Sequence, residues 1–131
     1  MIKVKKVKTR NSKDEKLNGY CGRIVHSGTL SLDTVAKLCS ENNTVTRADA
    51  LAVLDALAAE CIAALKQGYT VSIGDLGTLM LTVTNSEGAA DPKDWTVDMI
   101  DRVNVRYKPS VALKNAIALG AERVSLRIVK D

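Results

Sequence analysis

Hydrophobic residues alternate with lysines at the start of the chain, from residue 2 to residue 7, and a second hydrophobic run surrounds Ile24. A polar stretch, residues 11–18, separates the two runs. Alternation over a short segment is typical of a β-strand, and a polar stretch between two such segments is typical of a connecting loop. Residues 1–28 are therefore predicted to form a β-hairpin.

Two later segments place their hydrophobic residues at the three- and four-residue spacing of an α-helix. The first follows Ser31, a predicted N-cap, and stops at Asn42 and Asn43. The second follows Thr46, another predicted N-cap, and ends near Gln67. Its hydrophobic stripe is wider than one shallow contact would bury.

Strand patterns return after the second helix. One strand starts at Val71, is interrupted by residues 74–77, and continues to Val83. Two glycines three positions apart inside a strand pattern predict a bulge or a close approach of the backbone. Residues 103–108 alternate between hydrophobic and basic or polar side chains, which predicts a strand with two different faces.

The remaining pattern predicts a short helix over residues 111–119, which Gly120 ends, and a final strand over residues 124–128. The chain is therefore expected to be α+β: two helices, a three-stranded antiparallel sheet and a C-terminal helix, with an added N-terminal β-hairpin and C-terminal strand.

Composition limits how much surface a single chain can bury. The 131 residues are the size of one domain, and 46% of them are hydrophobic, but phenylalanine is absent and aromatic residues make up only 3%. Because large rings contribute most to burial, a chain built from Leu, Val, Ile and Ala is expected to need a partner chain.

The positive charge is confined to one end of the sequence. Residues 1–26 contain eight basic and two acidic residues, a net charge of +6, so the rest of the chain carries −2 of the total +4. Contact with nucleic acid is one interpretation of this segment. A charged edge strand that discourages aggregation is the other, and the sequence favours neither.

Residue types that support catalysis or metal binding are scarce. His26 is the only histidine, and Cys21, Cys39 and Cys61 form no C-x-x-C pair. The acidic pair Asp98 and Asp101 is expected to be a solubilising face, because no pocket or phosphate-binding glycine loop accompanies it. The chain is thus not expected to be an enzyme, to hold a metal or cofactor, or to bind a small-molecule substrate.

The cysteine pattern also indicates a reduced, intracellular setting, since Cys39 and Cys61 fall on hydrophobic helix faces, where cysteine is usually a small buried side chain. No hydrophobic run approaches the length of a signal-peptide core or a membrane span. The chain is therefore expected in the cytoplasm, without a membrane partner.

Two short motifs carry a resemblance to a known family. Gly74-Asp75-Leu76-Gly77-Thr78-Leu79 resembles the G-F-G-T-F strand signature of the HU and integration host factor family of bacterial DNA-bending proteins, and residues 107–114 resemble its F-x-P-G-K-x-L-K helix entry. With the order of elements, the resemblance covers Ser31 to Leu119. The added hairpin and final strand resemble the extended HU-related proteins of Bacteroides-type bacteria.

This resemblance implies an intertwined homodimer that binds double-stranded DNA on the bacterial nucleoid. It also implies a basic hairpin extension, residues 1–28, packed on an HU-like domain of residues 29–131, the whole forming a single domain. In the family, two β-ribbon arms reach around DNA, and a proline near each tip wedges between base pairs.

The sequence departs from the family in the arm region. Between Thr82 and Asp101 the only basic residue is Lys93, so an arm built from this segment would be repelled by phosphate. Pro92 lies at about the family's proline position. Asp91 before it and Trp95 after it instead favour a short amphipathic helix that starts at Pro92. The arms are then shortened or refolded, and DNA contacts are expected to be non-intercalating.

A second departure is the replacement of the family's Gly-Lys pair by Ser110 and Val111. The resemblance nevertheless predicts non-sequence-specific DNA binding. The alternative is an HU-fold structural or protein-interaction module that has lost DNA binding, which the net charge of −2 outside the hairpin favours. The residues predicted to contact DNA are all cations: Lys3, Lys5, Lys6, Lys8, Arg10, Arg47, Arg106, Lys108 and Lys114.

Overall fold

A computed structural model describes residues 1–9, 15, 19–120 and 124–129 and shows a mixed α+β chain with two small sheets. The elements, in chain order, are β1 (Ile2–Thr9), β2 (Gly19–Val25), α1 (Leu32–Glu41), α2 (Arg47–Lys66), β3 (Val71–Ser72), β4 (Thr78–Asn85), β5 (Ile100–Lys108), α3 (Val111–Ala116) and β6 (Leu126–Ile128). They belong to two compact units, one of Met1–Ser31 with Asn115–Asp131, the other of Leu32–Lys114. The predicted division at residue 28 stays a prediction.

The first unit is built on a three-stranded sheet in the order β2, β1, β6. The predicted hairpin is present: β1 and β2 pair antiparallel from Lys3 opposite Val25 to Thr9 opposite Gly19. The predicted final strand is also present, and it pairs parallel to β1, with Ile2 beside Leu126. The loop between β1 and β2 lies largely outside the described residues.

The second unit opens with two helices, and the ends of α2 are fixed as the sequence predicts. The Thr46 hydroxyl accepts a hydrogen bond from the Asp49 N–H at 3.1 Å, which caps the start of α2. At its other end, Gly68 adopts a left-handed φ of 87°, and the N–H groups of Gly68 and Tyr69 donate to the carbonyls of Leu65 and Ala64. This Schellman arrangement satisfies carbonyls that would otherwise lack partners.

The glycine segment 74–77 corrects one prediction. It does not interrupt a single strand but reverses the chain, so that β3 and β4 pair antiparallel with Val71 opposite Leu79. Gly74 and Gly77 have φ values of 67° and 130°, which allow the reversal at no steric cost. The predicted close approach is confirmed, because a Cβ on Gly77 would overlap the Lys108 carbonyl oxygen.

The connection between β4 and β5 corrects a second prediction. A 3-10 turn does begin at Pro92, and the Asp91 carboxylate accepts from the Lys93 N–H at 3.0 Å, as predicted for an N-cap. The turn ends at Asp94, however, and a second 3-10 turn, Val97–Met99, follows. Trp95 and Thr96 between them are extended, so no continuous amphipathic helix forms.

The C-terminal helix α3 is shorter than its predicted range of residues 111–119. It begins after Ser110, whose hydroxyl accepts from the Leu113 N–H at 3.0 Å and donates to the Asp75 carbonyl. It ends at Ala116, and Leu119 instead forms a parallel bridge with Val124. Pairing with the later segment thus competes with helix continuation and ends α3 early.

Very little of the described chain is buried. Only four of its hydrophobic side chains are removed from water, those of Ala36, Ala50, Cys61 and Leu65, and no large side chain is fully buried. The prediction of a buried cysteine is right for Cys61 and wrong for Cys39, which is exposed. The described residues of one chain therefore lack a substantial hydrophobic core.

Substitution of Gly77 by alanine should lower the free energy of unfolding by about 2 kcal/mol or more, because the nearest obstructing atom is the backbone carbonyl oxygen of Lys108, which cannot rotate away. Gly88→Ala is the control, since a Cβ at that position would meet nothing within 4 Å and its φ is not left-handed. Urea unfolding midpoints measure both; equal midpoints for the two variants would contradict the close approach.

Candidate nucleic-acid interface

One face of β5 presents a row of cations. Arg102, Arg106 and Lys108 occupy alternate positions of the strand, with Asn104 between them, and all three cations are exposed. Alternate residues of a strand project from the same side of a sheet. Asn104 donates to the Thr84 hydroxyl at 2.7 Å, which holds the middle of the row against β4.

The cross-strand partners of this row on β4 are uncharged. Thr84, Met80 and Thr78 lie opposite Arg102, Arg106 and Lys108, and Thr82 lies opposite Asn104. No acidic side chain stands on this face within the paired β4 and β5 residues. Asp101 falls at the register shift where Asn85 pairs with Ile100, which takes it out of the regular alternation.

The opposite face of the same two strands is hydrophobic. It carries Leu79, Leu81, Val83, Val103, Val105 and Tyr107, which pair with one another across β4 and β5. Val105 is 68% exposed and Val103 60% exposed, although both are aliphatic. The Tyr107 hydroxyl donates to the Leu76 carbonyl, which ties this face to the glycine turn.

The predicted cations Arg106 and Lys108 are thus brought together on one face, as the alternation indicated. Sequence reasoning missed Arg102, although the same alternation extends to it. The strand was expected to begin at Val103, whereas β5 begins at Ile100. Following the pattern one step further towards the N-terminus would have found the third cation.

The predicted lysines of β1 are divided between two faces of the first sheet. Lys3 and Lys5 lie on one face and Lys6 and Lys8 on the other, because the pairing with β2 runs without a bulge. Arg10 lies outside the described residues.

Two arginines that sequence reasoning did not select complete the face of Lys3 and Lys5. Arg23 of β2 lies directly opposite Lys5, and Arg127 of β6 lies beside Lys3. The parallel pairing of β6 with β1 leaves no local signal in the sequence, so Arg127 could not have been placed there in advance.

The two remaining predicted cations lie on helices, not on these strands. Arg47, the first residue of α2, forms an ion pair with Asp33 at 3.4 Å, and both side chains are more than half exposed. Lys114 lies in the last turn of α3. Because its charge is already partly compensated, Arg47 is a weaker candidate for anion binding than the β5 cations.

The connection between β4 and β5 is acidic and exposed. Residues 86–99 contain four acidic residues and one basic residue, Lys93. Trp95 is 42% exposed and Val97 72% exposed within it. This segment would repel a polyanion, in contrast to the adjacent face of β5.

The described part of the chain holds neither a cluster of metal-ligating side chains nor a helix able to span a membrane. Its His, Cys, Asp and Glu side chains form no group of three that could hold a metal ion. None of its helices is both long enough and apolar enough to cross a membrane.

Comparisons with known proteins identify a family and a shared fold. Residues 1–123 match a family model described as HU-HIG, "HU domain fused to wHTH, Ig, or Glycine-rich motif". A solved structure of a candidate bacterial DNA-binding protein from Bacteroides vulgatus superposes with a TM-score of 0.66 at 14% identity, over 98% of this chain. The chain spans about half of that protein, 47% of its length. None of the curated proteins compared matches it.

Proposed function

The chain belongs to the HU-HIG family, and from this membership we propose that it is a nucleoid-associated homodimer that binds double-stranded DNA without sequence specificity in the bacterial cytoplasm. The observation that carries the proposal is the row of exposed cations on β5, backed by uncharged residues of β4. The family match and the fold shared with the Bacteroides vulgatus protein support it.

The β5 row has the chemistry of a phosphate-binding face. Residues two apart on a strand are separated by about 7 Å, so Arg102, Arg106 and Lys108 spread three charges along one side of the sheet. The threonine hydroxyls of β4 beside them are further donors for phosphate oxygens. Contacts of this kind neutralise the DNA backbone and carry no sequence information, which accounts for the proposed lack of specificity.

A homodimer is proposed because hydrophobic surface in the second unit is left uncovered. The valines on the reverse face of β5 are exposed, and so are Val53 and Ile62 of α2. A hydrophobic groove of about 330 Å³ also runs along α2; it is lined by Leu32, Leu54, Leu57, Ala58, Cys61, Ile62, Leu65, Ile73 and Leu79.

A second copy of the chain is the proposed occupant of this surface. A helix with a wide hydrophobic stripe, such as α2, is stable only when that stripe is covered. A two-fold dimer covers the same patch on both subunits at once, and the resemblance to HU implies an arrangement of that kind.

No proline wedge is proposed. Pro92 starts a capped 3-10 turn inside the acidic connection, and neighbouring Asp91 and Asp94 carry negative charge that phosphate would repel. A wedge needs positively charged flanks to bring it to the duplex. We therefore expect the protein to bind DNA through the sheet without unstacking base pairs.

The remaining predicted contacts are proposed as secondary. Lys114 and Arg47 would add charge in the second unit, although Asp33 compensates Arg47. Of the predicted N-terminal cations, Lys3 and Lys5 share one face of β1 and would add positive charge that residues 32–114 lack, since those residues contain eight basic and eleven acidic residues.

That negative balance is also the observation that favours the alternative function. An HU-fold interaction module without DNA binding would tolerate both the acidic connection and the replacement of the Gly-Lys pair by Ser110 and Val111. It would not need a cation row on β5 that is free of acidic neighbours.

The affinity of the unaltered chain for duplex DNA should fall steeply as the salt concentration rises. Arg102→Gln/Arg106→Gln should reduce the slope of log K against log salt concentration by about 0.9 for each replaced cation that contacts a phosphate. Fluorescence anisotropy with a short duplex between 50 and 200 mM salt measures this. Lys37→Gln/Lys66→Gln removes the same charge from exposed helix positions and should leave the slope nearly unchanged. Absence of binding at the lowest salt would support the interaction module instead.

The mass in solution should be that of a dimer, and Val105→Asp should shift it towards the monomer, because the substitution places a charge on the surface that the partner covers. Val97→Asp is the matched control, since Val97 is as exposed as Val105 but lies in the acidic connection. Light scattering after size-exclusion chromatography measures both. A dimer that survives Val105→Asp would rule out this face as the interface.

A further inference from the structure

Lysines on an exposed edge strand can be explained as protection against aggregation, but only part of β1 is such an edge. β2 flanks β1 from Lys3 to Thr9, and β6 flanks it on the other side from Ile2 to Val4. Beyond that point no described strand pairs with this side. Edge protection is therefore a sufficient explanation for Lys5, Lys6 and Lys8 but not for Lys3, which lies between two strands.

The face that includes Lys3 gathers cations from all three strands. Arg23 of β2 stands opposite Lys5, and Arg127 of β6 stands beside Lys3. With neighbouring strands about 4.8 Å apart and alternate residues about 7 Å apart, the Cα atoms of the four residues span roughly 10 by 7 Å of the sheet. Arg23, Lys5 and Arg127 are exposed, and Lys3 is half-buried.

These charges have no described acidic partner. The ion pair between Arg47 and Asp33 is the only one in the described part of the chain, and it belongs to the other unit. The other paired residues on this face of β1 and β2 are uncharged. Like charges directly opposite each other on neighbouring strands destabilise the pairing, so Lys5 and Arg23 oppose the hairpin unless an anion lies between them.

The reverse face of the sheet has a different character. Lys6 and Lys8 share it with Val4, Ile24 and Ile128, and the last two are more than half exposed. Gly22 and Tyr20 are the cross-strand partners of the two lysines, so neither lysine has a cation opposite it on β2. A duplex that lies on one face of the sheet cannot contact the other face.

We propose that Lys3, Lys5, Arg23 and Arg127 form a second phosphate-binding face for duplex DNA, separate from the β5 row, and that Lys6 and Lys8 are not part of it. The proposal rests on the proposed function for its choice of duplex DNA as the ligand. The face offers no aromatic ring for base stacking, because the exposed Tyr20 lies on the reverse side. It therefore binds the phosphate backbone and gives no preference for single strands.

The test uses the full chain with Arg102→Gln/Arg106→Gln as background, which leaves Lys108 as the only cation of the β5 row and so raises the share of the remaining affinity that the first unit contributes. In this background Arg23→Gln/Arg127→Gln should lower the salt slope of duplex binding by about 1.8 per chain, which is two phosphate contacts. Lys6→Gln/Lys8→Gln removes two charges from the same sheet and should change the slope by less than about 0.5. Arg23→Lys/Arg127→Lys keeps the charge and should retain most of the slope.

Hydrogen exchange supplies a readout that is independent of affinity. Duplex DNA should increase the protection of the β1 and β2 amides, because phosphate relieves the repulsion between Lys5 and Arg23, and the Arg23→Gln/Arg127→Gln variant should lose this increase. Without DNA, the β1 and β2 amides of this variant should be at least as protected as those of the unaltered chain. That result would show that the substitutions leave the sheet intact.

The second face would be overturned if Arg23→Gln/Arg127→Gln and Lys6→Gln/Lys8→Gln changed the salt slope equally. It would also be overturned if Arg23→Gln/Arg127→Gln left the slope unchanged. If the unaltered chain binds duplex DNA and all of that binding is lost with Arg102→Gln/Arg106→Gln, the second face is wrong and the proposed function stands. If the unaltered chain binds no duplex at all, both are wrong.

Discussion

Burial of hydrophobic surface is the constraint on which the rest of this structure depends. The chain has no phenylalanine and few aromatic rings, so its core must be assembled from aliphatic side chains. Within the described residues of one chain only Ala36, Ala50, Cys61 and Leu65 leave the solvent, while valines of β5 and aliphatic side chains of α2 remain in water. Because hydrophobic burial is the dominant favourable contribution to folding, a chain with so little of it cannot be stabilised by its internal contacts alone.

The same strand alternation that leaves a hydrophobic face also creates the proposed DNA-binding face. On β5, Val103, Val105 and Tyr107 point to one side while Arg102 and Arg106 point to the other. Covering the hydrophobic side with a second copy would fix the cationic side as the outward one. Dimerisation and DNA binding are then two consequences of one pattern with a period of two residues.

Local signals predicted most of the elements, and tertiary pairing accounts for what they missed. The ends of α2 followed from Thr46 and Gly68, because capping is a matter of a few neighbouring residues. Gly74 and Gly77 were identified as special positions, but whether they bulge a strand or reverse it depends on β3 finding β4 as its partner. In the connection between β4 and β5, a turn starts at Pro92 as predicted, but the chain is extended at Trp95 and does not continue as a helix.

The candidate sites also divide into positions that local sequence signals predicted and positions that depend on tertiary pairing. Alternation alone placed Arg106 and Lys108 on one face of β5. It could not place Arg127 beside Lys3, since a parallel pairing between the two ends of the chain has no sequence signature. The acidic character of the connection was visible from composition. Its detailed fold, two separate 3-10 turns, was not.

The concentration dependence of thermal unfolding tests the central claim most directly. If a second copy completes the hydrophobic core, folding and association are one process. A 100-fold increase in protein concentration then adds about 2.7 kcal/mol of stability and raises the unfolding midpoint by roughly 5–10 °C. A midpoint that does not move with concentration, together with the mass of a monomer at the highest concentration, would contradict the account.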